Sequence, residues 1–211
     1  MLWTEEDIRS ADRIKRLNII NSISGIKPAN LVGTLSPTGN SNLAIFSSAI
    51  HLGSNPALIG LLFRPQGNVP RNSLENLLAN GFYTINHVSI NTTKQAHYTS
   101  AKFDSDISEF DTCKFEEEYL SDFRAPFVKY SPVKIGMRYK EHIPIEANGT
   151  TLVIGSVVLI EIADEAINAE GYLDLEALGS VGIGGLNRYY TLRQHAEYPY
   201  ARANELPRFK K

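Results

Sequence analysis

One hairpin, NLVGTLSPTGNSNLAIFSSAI (30–50), decides the fold of this chain. Two apolar runs, 30–36 and 41–50, flank the segment SPTGN (36–40), which is rich in turn-forming residues. Pro37 suits an early turn position, and Gly39 or Asn40 tolerates a positive φ. The pattern therefore predicts two antiparallel strands joined by a tight turn.

The hairpin is followed by another strand, a helix and a further strand. The run ALIGLLF (57–63) shows no alternation, which predicts a strand buried on both faces. After the polar loop RPQGNVPRNS (64–73), LENLLANG (74–81) is predicted to be a helix, because Asn72 and Glu75 have capping-box spacing. Asn80-Gly81 ends this helix, and FYTIN (82–86) predicts the next strand.

The second strand of the hairpin has two different faces. Leu43 and Ile45 are predicted to face one side of the sheet, and Ser47 continues that side. The opposite side is predicted to carry Asn42, Ala44, Phe46 and Ser48. Small polar residues therefore lie where this strand ends.

The rest of the chain adds more strands than helices. Thr4 and Asp7 predict the start of an amphipathic helix over 5–16, packed on the core or on a second subunit. LNIINSIS (17–24) is a further apolar element, and YLDLEAL (172–178) is a short helix or an irregular segment. Asn148-Gly149 predicts a hairpin between the β-rich runs 128–145 and 150–164. Six or seven closely spaced strands without long βαβ units indicate a mainly β protein, a barrel with a few short peripheral helices.

Length and composition limit the class of protein. The 211 residues are 43% hydrophobic, which suits one domain over 1–211. A net charge of −2 gives no electrostatic reason to expect nucleic acid or an anionic membrane as a partner. Because Cys113 is the lone cysteine and the N-terminus is acidic, unlike a signal peptide, we expect a cytoplasmic protein.

Several common kinds of site are not supported by the sequence. No two of the five histidines have metal-ligand spacing and no cysteine cluster exists, so no metal site is expected. The chain has no G-x-S-x-G nucleophile motif. The glycine-rich segment GSVGIGG (179–185) does not match G-x-G-x-x-G and predicts a turn where the backbone passes close to another group.

The strongest candidate site is the start of the helix after the polar loop. A helix N-terminus presents free backbone N–H groups, Ser73 adds a hydroxyl, and Arg71 adds a guanidinium that suits phosphate oxygens. An ordinary capped helix with an exposed arginine is the alternative interpretation. Ser47-Ser48-Ala49 has a similar pair of interpretations: a plain strand end, or backbone N–H groups left for the edge of a planar heterocycle.

Taken in order, these segments resemble one known family. GTLSPTGNSNLAIFSS, HLGSNPALIGLLFRP and VPRNSLENLLANGFYTIN are similar to segments of the flavin reductase-like, FMN-binding split-barrel family. VIGSVVLIEI and GIGGLNRYYTL resemble its closing strands and its Gly-Gly-x-x-Tyr segment. The resemblance covers about residues 17–192, with the N-terminal helix and C-terminal tail as extensions. It implies a Greek-key split barrel of six or seven strands, usually a homodimer, with FMN near the subunit interface.

The resemblance also implies which residues bind the flavin. At the strand end, the residues expected to hold the pyrimidine edge and ribityl chain are Phe46, Ser47, Ser48 and Ala49. Asn42 is expected to support that loop, and Arg64 is expected to lie beside the flavin. At the helix, the residues expected to bind and support the phosphate are Arg71, Asn72, Ser73 and Asn76. Tyr189 or Tyr190 is expected near the ring or the interface. Many members have a basic residue just before the Gly-Gly pair, where this chain has Gly182, and Arg188 is the candidate replacement.

The implied activity is hydride transfer from NADH or NADPH to FMN, with electrons passed on to an acceptor such as a monooxygenase. This chemistry requires no protein acid or base, so the catalytic residues stay unknown, and His51 is only a weak candidate. A non-enzymatic FMN electron carrier of the flavoredoxin kind is the first alternative. The second is a related barrel that binds haem or a pyridoxal-type phosphate.

Overall fold

The computed structural model describes residues 1–65, 72–104 and 106–209, and it is built on antiparallel strands. Twelve strands occur in the described residues: β1 Lys27–Pro28, β2 Asn30–Leu35, β3 Ser41–Phe46, β4 Ala49–Ser54, β5 Ala57–Phe63, β6 Phe82–His87, β7 Glu117–Glu118, β8 Phe127–Val128, β9 Val133–Ile145, β10 Thr150–Ile162, β11 Val181–Gly184 and β12 Arg188–Thr191. The α-helices there are α1 Glu5–Ser10, α2 Arg13–Ile23, α3 Asn72–Asn80, α4 Thr93–Tyr98 and α5 Glu109–Thr112. The mainly β fold class is confirmed.

Seven strands form the main sheet in the order β3-β2-β6-β9-β10-β5-β4. β3 and β4 are the two edges of this order, yet only Ser47 and Ser48 separate them in the chain. The short connection brings the two sheet edges together, which is how the sheet curves into a barrel. The predicted single strand 41–50 is therefore wrong in one respect, since it bends at Ser47-Ser48 and its two halves pair with β2 and β5 respectively.

The predicted hairpin turn is confirmed. The Ser36 N–H donates to the Asn40 carbonyl at 2.8 Å, and Gly39 has φ of +90°. β2 and β3 then pair in register from Leu35 with Ser41 to Asn30 with Phe46. The second predicted hairpin, β9–β10, is also present around Asn148-Gly149.

Two hydrophobic clusters fill the interior, and β3 contributes to both. Leu43 and Ile45 lie against the cluster that includes Leu31, Val88 and Phe110. Phe46 packs instead against the cluster of the barrel proper, which includes the following residues: Val32, Leu61, Phe63, Leu74, Leu77, Tyr83, Ile85, Met137 and Val153. The predicted alternation of β3 is thus confirmed. β5 is less buried than expected, because Ala57 is exposed and Leu58, Ile59 and Leu62 are only half-buried.

A second sheet, β1-β11-β12, contains much of the glycine-rich segment. The prediction of a turn is wrong for Gly182 and Gly184, which lie within β11. The predicted close approach is present, because a Cβ on Gly182 would overlap the Cγ2 of Ile26, and one on Gly184 would lie 2.7 Å from the Tyr190 ring. Gly185, with φ of +62°, begins the turn to β12.

The N-terminal region forms two helices where one was predicted. Thr4 and Asp7 make the expected capping box at α1. Asp12 then caps α2 by accepting hydrogen bonds from the N–H groups of Ile14 and Lys15, which ends the predicted helix 5–16 at its middle and makes 17–24 helical. Neither helix has a buried residue, so both lie on the surface of this chain. Within the described ranges, no helix is long and apolar enough to cross a membrane.

Candidate functional site

A buried polar network lies at the start of α3. The Asn42 amide donates to the Ser73 hydroxyl oxygen at 2.9 Å and to the Thr34 hydroxyl oxygen at 3.3 Å. Asn76, one turn into the helix, also donates to Thr34 at 3.3 Å. All four side chains are at least 92% buried. Because the Ser73 oxygen accepts a hydrogen bond from Asn42, its own hydrogen is left to donate to a third group.

Packing fixes the direction of α3. Leu74 and Leu77 are buried in the barrel cluster, while Ser73 and Asn76 face β2 and β3. The helix therefore cannot rotate without exposing its leucines or breaking the network. Its first N–H groups have no intrahelical acceptor and carry the positive end of the helix dipole, which favours an anion.

Arg71, the third member of the predicted phosphate site, lies outside the described residues. Asn72 was predicted to cap a helix beginning at residue 74, but α3 begins at Asn72 itself, which is half-buried. Thr34 was missed by sequence reasoning, although it is completely buried and accepts from both asparagines. A signal for it existed, since a turn over 36–40 places Thr34 opposite Asn42 in the hairpin.

The second group of predicted residues surrounds the bend between β3 and β4. Phe46 lies edge-on to Phe63, with ring centroids 4.9 Å apart, and the Ser48 hydroxyl donates to the Leu62 carbonyl at 2.9 Å. Ser47 is half-buried, and its hydroxyl has no hydrogen-bond partner in the described part of the chain. The residues from Phe46 to Ala49 are all half-buried, so the bend is a partly exposed polar surface next to the barrel cluster.

β3 links these two groups. Asn42 and Phe46 are four residues apart on the same side of the strand, which places them about 13 Å apart along it. Arg64 follows Phe63 directly and is exposed beside the bend. The arrangement therefore consists of the start of α3, which can bind an anion, then β3, and then the polar bend beside the Phe46–Phe63 pair.

The remaining predicted residues lie elsewhere. His51 is exposed on β4. Tyr189 packs against the cluster that contains Ile45, and its hydroxyl lies 3.3 Å from Nδ1 of His97. Burial raises the pKa of the Tyr189 phenol to about 12, so it stays protonated at neutral pH.

Arg188 faces the opposite side of β12 from Tyr189. It lines a groove of about 770 Å³ between α2 and the β11–β12 turn, together with Asn18, Ser22 and Tyr190. None of the residues from the helix end or from the strand bend lines this groove. Within one chain the structure therefore places Arg188 in a groove that is separate from the first two groups.

Comparison with known proteins agrees with this geometry. Residues 26–176 match the flavin reductase like domain family. The chain belongs to this family. A protein from Shewanella frigidimarina, assigned to the flavin reductases with a split barrel domain, is 46% identical, with a TM-score of 0.92 over 95% of this chain and 100% of that one. The split-barrel prediction and the predicted family are thereby confirmed, and a flavin-related oxidoreductase function is supported.

More distant proteins share the fold. Nitrilotriacetate monooxygenase component B from Bacillus cereus is 18% identical, with a TM-score of 0.83 over 94% of this chain and 98% of that one. An uncharacterized protein from Aquifex aeolicus is 22% identical over 166 residues, which are 78% of this chain and 83% of that protein.

In the part of the chain that the structure describes, no group of three or more His, Cys, Asp or Glu side chains is placed to hold a metal ion.

Proposed function

We propose that this flavin reductase-like protein binds FMN along β3 and reduces it with NADH or NADPH. The observation that carries the proposal is the buried network of Asn42, Thr34, Asn76 and Ser73. The network fixes the Ser73 hydroxyl at the N-terminus of α3. Four residues after Asn42 on β3, the strand ends at Phe46 and the polar bend begins. These distances suit an elongated ligand with an anion at one end and a planar ring at the other.

The phosphate end of FMN is assigned to the first turn of α3. Ser73 donates its remaining hydrogen, the free N–H groups of the helix add further donors, and Asn72 lies beside them. Asn42 and Asn76 do not need to touch the ligand. They hold Ser73 and the helix in place through Thr34, which makes them positioning residues. Arg71 belongs to the same proposed phosphate site by its position in the sequence.

The ring end is assigned to the bend between β3 and β4. Ser47 offers there a hydroxyl with no partner among the described residues, while Ser48 is already bonded to the Leu62 carbonyl and holds the bend to β5. Phe46 and Ala49 form the apolar floor, and Arg64 is the charged group beside it. Bound FMN would supply hydride acceptance from a nicotinamide, while the residues of this chain bind and orient it and shield one of its faces.

We assign the same chain a homodimeric state. The outer faces of β4, β9 and β10 expose several large apolar side chains: Ile50, Leu52, Ile143, Val158 and Ile160. A second copy of the chain would cover such a face, and Arg188 and Tyr190 would then come from either subunit. The reduced flavin would pass its electrons to a separate acceptor, of which a monooxygenase is one kind.

A second candidate function is a non-enzymatic FMN electron carrier. The observation that favours it is Gly182, which occupies the place of a basic residue in many family members. A Cβ at Gly182 would overlap the Cγ2 of Ile26, so a larger side chain there would require Ile26 to move, and Arg188 is exposed in a separate groove. The nicotinamide contacts that such a residue provides are therefore missing from this position.

Two measurements test the proposal. A visible spectrum is recorded after FMN is added and unbound flavin is removed, and we expect the two bands of oxidised flavin to be retained. Steady-state oxidation of NADH and NADPH with FMN then separates a reductase from a carrier, which would retain FMN without turnover. A protein that retains no flavin at concentrations well above micromolar contradicts both functions, and a haem or pyridoxal band would identify the other ligand class.

A further inference from the structure

Two arginines converge on one aromatic ring on the outer face of the sheet. The guanidinium carbon of Arg124 lies 5.4 Å from the centroid of Phe82, and that of Arg138 lies 5.6 Å from it. The two carbons are therefore no further apart than the sum of these distances, about 11 Å. Arg138 is the cross-strand partner of Phe82, whereas Arg124 comes from the segment between β7 and β8.

Neither guanidinium is neutralised by a carboxylate in the described part of the chain. Both side chains are exposed, and neither takes part in an ion pair there. Lys134, four residues before Arg138 on β9, shows the contrast, because it contacts both Glu118 and Glu161. The cation–π contacts hold both arginines at the same ring, where their positive charges repel each other. A bound anion would reduce this repulsion.

The backbone before Arg124 adopts an unfavourable conformation that places it there. Ser121 and Asp122 have φ of +49° and +58°, in the left-handed region that non-glycine residues seldom occupy. The Phe123 N–H closes this turn on the Leu120 carbonyl at 2.9 Å. Strain of this kind persists only where surrounding contacts enforce it, and it is often found at functional sites.

Those contacts come from Phe82, Phe123 and Gly136, which together form what we call the aromatic shelf. Phe123 lies edge-on to Phe82, with centroids 5.6 Å apart, and packs over Gly136 of β9. A Cβ at Gly136 would lie 2.9 Å from the Phe123 ring, so the shelf exists in this form only because residue 136 is glycine. The turn, the shelf and the glycine together fix Arg124 across from Arg138.

A small groove adjoins Arg124, whereas Arg138 does not line it. It has a volume of about 370 Å³ and is lined by Arg124, Ser36, Asn80 and Tyr119 among others. Asn80 is the last residue of α3, and Ser36 begins the turn at the opposite end of β3 from the Ser47 bend. Asn80, on the wall of this groove, lies seven residues after Ser73 along α3, roughly 10 Å at 1.5 Å per residue.

We infer that Arg124 and Arg138 form a second binding site, for a small anion with two or more negative charges such as a diphosphate group. Two guanidiniums supply forked donors that match phosphate oxygens, and the groove beside Arg124 admits a small ligand. A ligand here lies toward the other end of β3 from the flavin ring assigned above. The inferred site therefore uses none of the residues assigned above to the flavin.

Calorimetric titration of the full-length protein with pyrophosphate, in low-salt buffer without phosphate, tests this site. We expect one pyrophosphate per chain, and at least tenfold weaker binding for Arg124→Gln and for Arg138→Gln. Arg193→Gln, which removes an exposed arginine from the C-terminal region, is the matched control and should bind as the wild type does. Gly136→Ala leaves all charges in place but displaces Phe123, so it should also weaken binding.

The same titration is repeated with saturating FMN. Pyrophosphate binding that persists supports the second site, whereas binding abolished by FMN would locate the anion at α3 and overturn the inference. Absence of binding at millimolar pyrophosphate, or unchanged affinity in Arg138→Gln, would also overturn it. Adenosine diphosphate in place of pyrophosphate distinguishes a free anion from the phosphate end of a nucleotide, and in both cases the arginine variants must bind more weakly.

Discussion

His87 should make the stability of this protein depend on pH. It is the last residue of β6, its Nδ1 lies 3.1 Å from the Ser180 hydroxyl, and it is half-buried. Burial lowers the pKa of this imidazole to about 4, because the charged form loses its hydration in the fold. The substitution His87→Gln keeps a polar side chain there but removes the titrating group.

The sign follows from the direction of the shift. Below the unfolded-state pKa of about 6.5, His87 binds a proton in the unfolded chain but stays neutral in the folded chain. The free energy of unfolding therefore falls as the pH falls. The loss continues down to a pH near 4, where the folded chain also binds the proton. A shift of about 2.5 units corresponds to roughly 3 kcal/mol in all, of which about 2 kcal/mol is already lost at pH 5.

Denaturant unfolding at pH 7 and at pH 5 measures the effect. The wild type should lose about 2 kcal/mol more than His87→Gln between these two pH values. His51→Gln, at an exposed position on β4, is the matched control and should retain the wild-type dependence. Equal pH dependence in the wild type and in His87→Gln would refute the reasoning, because it would mean that the folded chain accommodates the charged imidazole.

Three further substitutions test the packing of the barrel. Tyr83→Phe removes a buried hydroxyl that has no hydrogen-bond partner in the described part of the chain, so the free energy of unfolding should stay the same or rise. A loss of about 1 kcal/mol or more in denaturant unfolding would reveal a hidden partner. Gly155→Ala introduces a Cβ that overlaps the Tyr83 hydroxyl, so it should lower the free energy of unfolding by about 1–3 kcal/mol in denaturant. The double variant with Tyr83→Phe should recover part of this loss. Lys134→Ala leaves Glu118 and Glu161 without their shared cation, and it should lower stability by about 1–3 kcal/mol, with a smaller loss in Lys134→Met because the apolar stem is kept.

Local sequence signals predicted the fold wherever the local geometry is self-sufficient. The turn at 36–40, the Asn148-Gly149 hairpin and the capping box of Thr4 are all determined by residues within a few positions of each other. The bend at Ser47-Ser48 was not predicted, because it is imposed by the pairing of β3 with β2 and of β4 with β5. Neither partner can be identified from the strand itself.

The candidate site shows the same division. Ser73 and Asn76 were predicted from helix capping and from the family resemblance, but their link through Thr34 depends on how α3 docks against the hairpin. Tyr189 and Tyr190 are neighbours with opposite environments, one packed beside His97 and the other lining a groove. Which of the two faces inward is decided by the register of β12 on β11, and a four-residue strand carries no pattern that fixes it.

The central claim is that Ser73, held by its buried network, binds the phosphate of FMN. The most direct test compares the dissociation constants of FMN and riboflavin, which differ only in that phosphate, for the wild type, Ser73→Ala and the control Ser10→Ala. We expect the wild type and Ser10→Ala to prefer FMN strongly, and Ser73→Ala to lose about 10–100-fold of that preference while its riboflavin affinity changes little. Equal affinity of the wild type for FMN and riboflavin, or an undiminished FMN preference in Ser73→Ala, would contradict the assignment.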